Sequence, residues 1–161
     1  RIQKGDLLIG FPSNGLHTNG YSLARKVLLE KYKLTDHIDE IDNILGDELL
    51  KIHKSYLPLI TSLKNSVDVK GLSHITGGGI AGNTKRIIPS GLKLKINWES
   101  WIIPEIFLLI QRTGNIPLEE MRKVFNLGIG LVAVISSDEL KNLRTLFSNF
   151  NKEFNLIGEV V

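Results

Sequence analysis

Leu7-Leu8-Ile9-Gly10-Phe11, then Pro12-Ser13-Asn14-Gly15-Leu16-His17-Thr18-Asn19-Gly20, then Tyr21-Ser22-Leu23-Ala24-Arg25-Lys26-Val27-Leu28: an apolar run, a loop of small and polar residues and a helical pattern follow one another directly. The run has no polar position on either face, so it reads as a strand buried on both sides and ended by Pro12. Leu23, Val27 and Leu28 share a helical face with Arg25, Lys26 and Lys31 between them, which predicts an amphipathic helix over 21–32. The same order recurs further on, with a strand over 69–76, the triplet Gly77-Gly78-Gly79 and a helix over 80–87. A strand, a small-residue loop and a helix start together present backbone N–H groups at a positive helix end, where an anion can be held without a dedicated lysine. Each of the two segments carries a histidine, His17 and His74.

Working outward, 33–46 is polar, with Asp36, Asp39 and Asp42, and reads as a surface excursion. Residues 47–53 and 58–65 read as helices, the second with Pro58 in its first turn. Leu92, Leu94 and Ile96 alternate with Lys93, Lys95 and Asn97, a strand with one solvated face. Residues 104–112 form a helical pattern capped by Gly114, and Pro117 with Glu119 and Glu120 opens another, its acids near the positive end. Residues 127–135 are an apolar strand with Gly128 and Gly130 at its mouth. Ser136-x-x-Glu139 has the form of a capping box opening a helix to Phe150, and 154–161 closes the chain as a strand. Helices and strands intermix without repeats, so the fold class is α/β (α+β), a mixed β-sheet layered with helices, in one domain spanning 1–161.

The chain has 161 residues, 42% hydrophobic and 23% charged, enough for one domain with its own core. Its 20 Lys and Arg against 17 Asp and Glu give +3, but the basic residues are dispersed, which excludes a nucleic-acid grip of the basic-block type. Without cysteine there is no disulfide, thiolate nucleophile or thiolate metal site, a composition that fits the cytoplasm. No apolar run approaches the ~20 residues of a membrane span, and no signal-peptide pattern opens the chain. The first residue is Arg1 and not Met, so the sequence is expected to be part of something longer.

His17 lies in a loop longer than the ~4–6 residues a plain connection uses, and such loops on strand ends carry function. The competing reading is a ring that packs the loop down. His74 stands beside Leu72 and Ile75, where a core position competes with a site position. His37 and His53 sit among charged neighbours and are expected to be ordinary solvated histidines. Three consecutive glycines forfeit roughly 2–3 kcal/mol of conformational entropy relative to alanines. Positive φ, or close approach of a ligand to the backbone, supplies the reason, with the N–H groups of Gly78, Gly79 and Ile80 as donors. Asn126-Leu127-Gly128-Ile129-Gly130 makes the same demand more weakly, a bulge being its simpler explanation. Trp98 and Trp101 are read as structural. There is no Walker lysine, no G-x-S-x-G, no H-E-x-x-H and no carboxylate cluster for a metal. On residues alone, this is half a site.

Gly5-Asp6-x-Leu8-Ile9-Gly10, Ser13-x-Gly15-Leu16-His17-Thr18-Asn19-Gly20-Tyr21-Ser22-Leu23-x-Arg25 and Lys70-Gly71-Leu72-x-His74-Ile75-Thr76-Gly77-Gly78-Gly79 resemble the phosphoribosylformylglycinamidine cyclo-ligase (aminoimidazole ribonucleotide synthetase) family. The resemblance runs on through Gly114-Asn115, Glu119-Glu120-Met121, Phe125-Asn126-Leu127-Gly128-Ile129-Gly130 and Ile157-Gly158-Glu159-Val160-Val161, in the order of that family's C-terminal domain. Departures are Thr18 for a frequent serine, Leu131 for a frequent methionine and Asn83-Thr84-Lys85-Arg86 where a proline precedes the arginine. The resemblance implies ATP-dependent closure of the imidazole ring of formylglycinamidine ribonucleotide in purine biosynthesis. In that chemistry the formamide oxygen is phosphorylated, then the amidine nitrogen attacks and phosphate leaves. It further implies that ATP and Mg2+ are held chiefly by an N-terminal domain of the same parent chain, that the parent is a homodimer, and that the present chain alone is inactive. Neither nucleic acid nor membrane is an expected partner.

On this footing His17 is the expected proton-transfer or substrate-orienting group with Asn19 beside it. Gly15, Gly20, His74, Thr76, Gly77, Gly78 and Gly79 line the phosphate site, and Asn126, Gly128 and Gly130 support the cleft wall. No metal ligand is assigned. Alternatives are another ATP-dependent member of the superfamily, such as selenophosphate synthase or thiamine monophosphate kinase, and a non-catalytic module that binds a phosphate ligand.

Overall fold

The computed structural model describes residues 1–150 and 153–161. In chain order it contains β1 (Leu7–Pro12), α1 (Tyr21–Leu28), β2 (His37–Ile38), β3 (Asn43–Ile44), α2 (Leu45–Leu49), α3 (Leu57–Ser66), β4 (Val69–His74), α4 (Gly79–Lys85), β5 (Leu94–Ile96), α5 (Glu105–Gly114), α6 (Leu118–Val124), β6 (Ile129–Ile135), α7 (Leu140–Phe150) and β7 (Asn155–Val160). Five strands form one sheet in the order β4-β6-β1-β7-β5. All four neighbouring pairs are antiparallel, so the expected layering is present while the sheet is antiparallel and not mixed. Apolar patterning reports which residues are buried, while strand direction is set by the connections.

Every residue of β6 is buried, and the interior four of β1 are too. Alternation sends Leu8, Val132 and Val134 to one face, with Ile80 of α4 and Trp101, and Ile9, Phe11, Leu131, Ala133 and Ile135 to the other, against Leu63 of α3 and Leu143 and Phe147 of α7. A third cluster gathers α1, α5 and α6 around Leu28, Phe107, Ile110 and Phe125 beyond the end of the sheet. The loops that leave β1 and enter β6 lie where these layers meet.

Several local expectations change. The 33–46 excursion contains the short β2–β3 pair and drives Ile38 and Leu45 into the third cluster. Only Leu45–Leu49 of the next segment is helical, and 50–56 runs without regular structure across the loop that follows β1. At the end of α5 the left-handed cap is Asn115, φ 46°. Gly114 serves packing instead, since a Cβ there would stand 2.7 Å from Val27 of α1. Ser136 makes no side-chain capping bond, and the Glu139 carboxylate accepts from the Asp68 N–H and the Asn142 amide, so the capping box does not form.

Gly79 and Gly82 of α4 give opposing tests. Gly79 has φ +64°, and a Cβ on it would collide with the Arg122 carbonyl oxygen of α6, whereas a Cβ on Gly82 meets nothing within 4 Å. Gly79→Ala is expected to destabilise by about 2 kcal/mol or more, and Gly82→Ala to stabilise by ~0.5–1 kcal/mol, in denaturant unfolding. Equal effects from the two would refute this account of the packing between α4 and α6.

Candidate functional site

The loop after β1 is held at its base by one buried side chain. Asn126 takes a 2.9 Å bond from the Ser13 hydroxyl and a 2.8 Å bond from the Gly128 N–H on its Oδ1, and its Nδ2 donates to the Gly15 carbonyl at 2.8 Å. Ser13 N–H also donates to the Gly128 carbonyl. Asn126 therefore joins the departure from β1 to the entrance of β6. Gly128, with φ +98°, leaves room for Pro104, and Gly20, with φ +74°, for the Phe125 ring.

Within this loop His17 and Thr18 both adopt left-handed φ, 53° and 63°. Non-glycine residues rarely do so, and two in succession need outside support. Support comes from the carboxamide of Asn19, whose Nδ2 donates to the His17 carbonyl, and from the Thr18 hydroxyl, which donates to the same oxygen at 2.6 Å. The other end of the Asn19 amide accepts the Gly77 N–H at 3.0 Å, so it links the two glycine loops that the sequence singled out.

His17 is only 2% exposed. Its Nε2 lies 2.5 Å from Asn14 Oδ1, and the backbone N–H groups of Asn14 and Lys54 also point at it. Nε2 thus receives two backbone donors, while Nδ1 has no hydrogen-bond partner. Gly130 is what admits the ring: a Cβ there would strike the Tyr56 hydroxyl and lie 2.9 Å from His17 Nδ1. Tyr56 donates to the Pro12 carbonyl at 2.8 Å, and burial raises its pKa. Above His17 lies His53, stacked at 4.2 Å between centroids, and the His53 Nε2 is 3.2 Å from that of exposed His74. The expectation that His53 is an isolated solvated histidine is thereby corrected. Its signal was hidden because 47–53 read as helix, whereas the extended path of 50–56 is what lays the ring on His17. His37 does stay outside, exposed beside Asp39 and Asp42.

Burial holds the His17 pKa at about 4, with repulsion from His53, His74 and Lys54 adding to it. Burial and His74 likewise lower that of His53. A neutral base sealed under a second imidazole can orient and stabilise from beneath, and the faces open to a ligand are those of His53 and His74.

The triple glycine has another role from the one expected. Gly77 N–H is taken by Asn19, Gly78 N–H by the Lys123 carbonyl at 2.9 Å, and Gly79 N–H by the Thr76 carbonyl at 3.1 Å. Gly78 and Gly79 are therefore not open anion donors. Asn83, which sequence reasoning passed over, secures the turn: its Nδ2 donates to the carbonyls of Thr76, Gly77 and Gly79, and its Oδ1 accepts the Thr76 hydroxyl. The glycines supply positive φ at Gly78 and Gly79 and close approach to α6. Trp101 donates to the Leu127 carbonyl, and Trp98 lies under the Arg122 guanidinium at 4.3 Å, so both tryptophans are structural. Among the described residues no group of three or more His, Cys, Asp or Glu could hold a metal ion, and no helix is long and apolar enough to cross a membrane.

Residues 3–161 match the family described as AIR synthase related protein, C-terminal domain. Among curated relatives, the phosphoribosylformylglycinamidine cyclo-ligase of Alkaliphilus oremlandii is 43% identical over 162 residues, 99% of this chain and 48% of the relative. That of Geobacillus thermodenitrificans is 45% identical over 162 residues, 99% and 47% respectively. The chain spans about half the length of these relatives. The crystal structure of thiamine-monophosphate kinase from Stenotrophomonas maltophilia superposes with a TM-score of 0.64 at 14% identity, covering 100% of this chain and 49% of that one, a likeness of fold.

Burial of a neutral His17 makes stability depend on pH. An unfolded chain protonates the ring near its ordinary value of about 6.5, while the folded one resists until about 4. The resulting stabilisation, on the order of 3 kcal/mol, is present above pH 6.5 and lost as pH falls from there to about 4. Denaturant unfolding at neutral pH and near pH 4.5 is expected to show a smaller acid loss in His17→Gln than in the parent. Equal losses would mean that His17 is readily protonated in the fold.

Proposed function

The chain belongs to the AIR synthase related protein C-terminal domain family, and on that premise we propose that it is the C-terminal half of a phosphoribosylformylglycinamidine cyclo-ligase. The observation that carries this reading is that the match to a cyclo-ligase, at 43% identity, runs over 99% of the chain and therefore spans the whole of the fold that holds the site. The substrate is then formylglycinamidine ribonucleotide, and closing its ring requires a nitrogen to lose protons as it forms the new C–N bond.

On this reading the ligand meets the surface formed by His53, His74, Thr76 and Gly77, with His17 beneath it. Asn19 Oδ1, on the exposed Gly77 N–H at 3.0 Å, occupies the position a phosphate oxygen takes if the loop opens to bind one. His17, neutral and rigidly held, keeps the loop in its left-handed conformation and lends its ring face to the imidazole above. ATP supplies the phosphoryl group that activates the formamide oxygen. Among the described residues none forms a cluster that fits Mg2+, and the N–H groups of Gly78 and Gly79 are already engaged, so nucleotide and metal are assigned to the remaining half of a longer parent that works as a homodimer in the cytoplasm.

The test compares the 161-residue chain with the longer protein carrying it, by ATP-dependent formation of the aminoimidazole product. The longer protein is expected to turn over, the chain alone to show nothing above a contaminant control. His17→Ala in the longer protein is expected to lower kcat by loosening the loop under His53, and, because the ring is buried, to lower Tm as well. Absence of cyclisation by the unaltered longer protein, or turnover by the isolated chain, would overturn the proposal.

A further inference from the structure

Three imidazoles from three segments converge at the rim of the site: His17 from the loop after β1, His53 from the 50–56 strap and His74 from the end of β4. Counting hydrogens fixes where the protons sit. The Thr18 hydroxyl has one hydrogen, and it goes to the His17 carbonyl at 2.6 Å. In its 3.3 Å contact with His53 Nδ1 the Thr18 oxygen can therefore only accept, which puts the proton of neutral His53 on Nδ1. His53 Nε2 is then a lone pair, and the 3.2 Å contact with His74 Nε2 requires His74 to be the donor. That leaves Nδ1 as the unprotonated nitrogen of His74, on an exposed side chain. The chain of bonds has one direction, from His74 to His53 to Thr18 to the His17 carbonyl.

We propose that His53 is the proton-accepting centre of this site, a positioning residue that Thr18 holds in its Nδ1–H tautomer so that exposed His74 can take a proton from a ligand nitrogen and pass one on. In the step, a ligand N–H gives its proton to His74 Nδ1 while the Nε2 proton of His74 moves to His53 Nε2. The ligand nitrogen keeps the electron pair of its N–H bond. His74 ends neutral with its tautomer reversed, and His53 ends as an imidazolium that donates to Thr18. The ligand class is therefore a molecule with an amidine- or amide-type N–H, and the role of this relay in ring closure rests on the cyclo-ligase reading above.

The surroundings suit an acceptor that starts neutral. The titratable groups facing His53 are His17 below it, His74 beside it, Lys54 next in the strap and Tyr56, whose ring centroid is 6.0 Å from that of His17 and 6.3 Å from that of His74. The charges acting on His17 and His53 are all of the positive kind, and none is a carboxylate. Burial and His74 lower the His53 pKa, so the ring is uncharged at neutral pH, and because the same causes oppose its imidazolium the accepted proton is held only transiently and passed back. The left-handed φ of Thr18, 63°, gains a purpose here, because it is what turns the hydroxyl to lie between the His17 carbonyl and the His53 ring.

Ring 15N–1H correlation spectra of the chain near pH 7.5 test the proton positions directly. His53 is expected as the Nδ1–H tautomer, retained in Thr18→Ser and converted to Nε2–H in Thr18→Val. An Nε2–H tautomer of His53 in the parent, or no change in Thr18→Val, would overturn the proposal whatever the enzyme does. In the longer protein, His53→Gln is expected to lower kcat by about tenfold or more with little change in KM, and to move the acid limb of the kcat–pH profile. An unchanged kcat and acid limb would overturn the relay while leaving the cyclo-ligase reading intact. If the longer protein cyclises nothing, that reading falls and the ring spectra alone decide whether His53 is the acceptor.

Discussion

The buried carboxamide of Asn126 is the joint on which the site depends. With Ser13, Gly15 and Gly128 as its partners it satisfies the exit of β1 and the entrance of β6 at once, two backbone paths that would otherwise turn polar groups into the interior. Each such bond contributes only about 1 kcal/mol net, but leaving its partners buried and unsatisfied costs about 1–3 kcal/mol apiece. The effect is geometric more than energetic. β6 is buried along its whole length and cannot shift, so whatever is tied to its mouth inherits that rigidity.

From that joint the loop after β1 carries two successive left-handed residues, a conformation held by hydrogen bonds that converge on the His17 carbonyl from Thr18 and Asn19. Asn19 then reaches across to Gly77, and Asn83 fixes the far loop from the other side. Three carboxamides thus do the positioning. Asparagine suits this work because it carries donor and acceptor together and no charge, so it can be buried among backbone groups without the desolvation cost of a carboxylate.

The same economy explains the histidines. Packing the His17 imidazole beneath that of His53 buries both rings enough to lower their pKa values, and neutral rings stack without repulsion. Gly130 makes the arrangement possible by leaving the space that the His17 ring and the Tyr56 hydroxyl fill. A glycine that looks like a strand irregularity in the sequence is, in three dimensions, part of the floor of the site.

Much of this was legible in the residues. The apolar runs 7–11 and 127–135 determined two central strands, because a stretch with no polar face has to be buried on both sides. The placement of α1 followed from spacing and that of α3, α5 and α6 also from prolines at their starts, and His17, Asn19 and Asn126 were marked by their loops and by resemblance to one family. Tertiary structure alone decided the rest. Strand direction, the use of Gly79 against α6 in place of anion binding, and the burial of His17 depend on what lies across a gap in space. His53 is the clearest instance: its neighbours in sequence, Ile52 and Lys54, are exposed, its neighbours in space are His17, Thr18 and His74, and only the path of 50–56 across the loop brings them together.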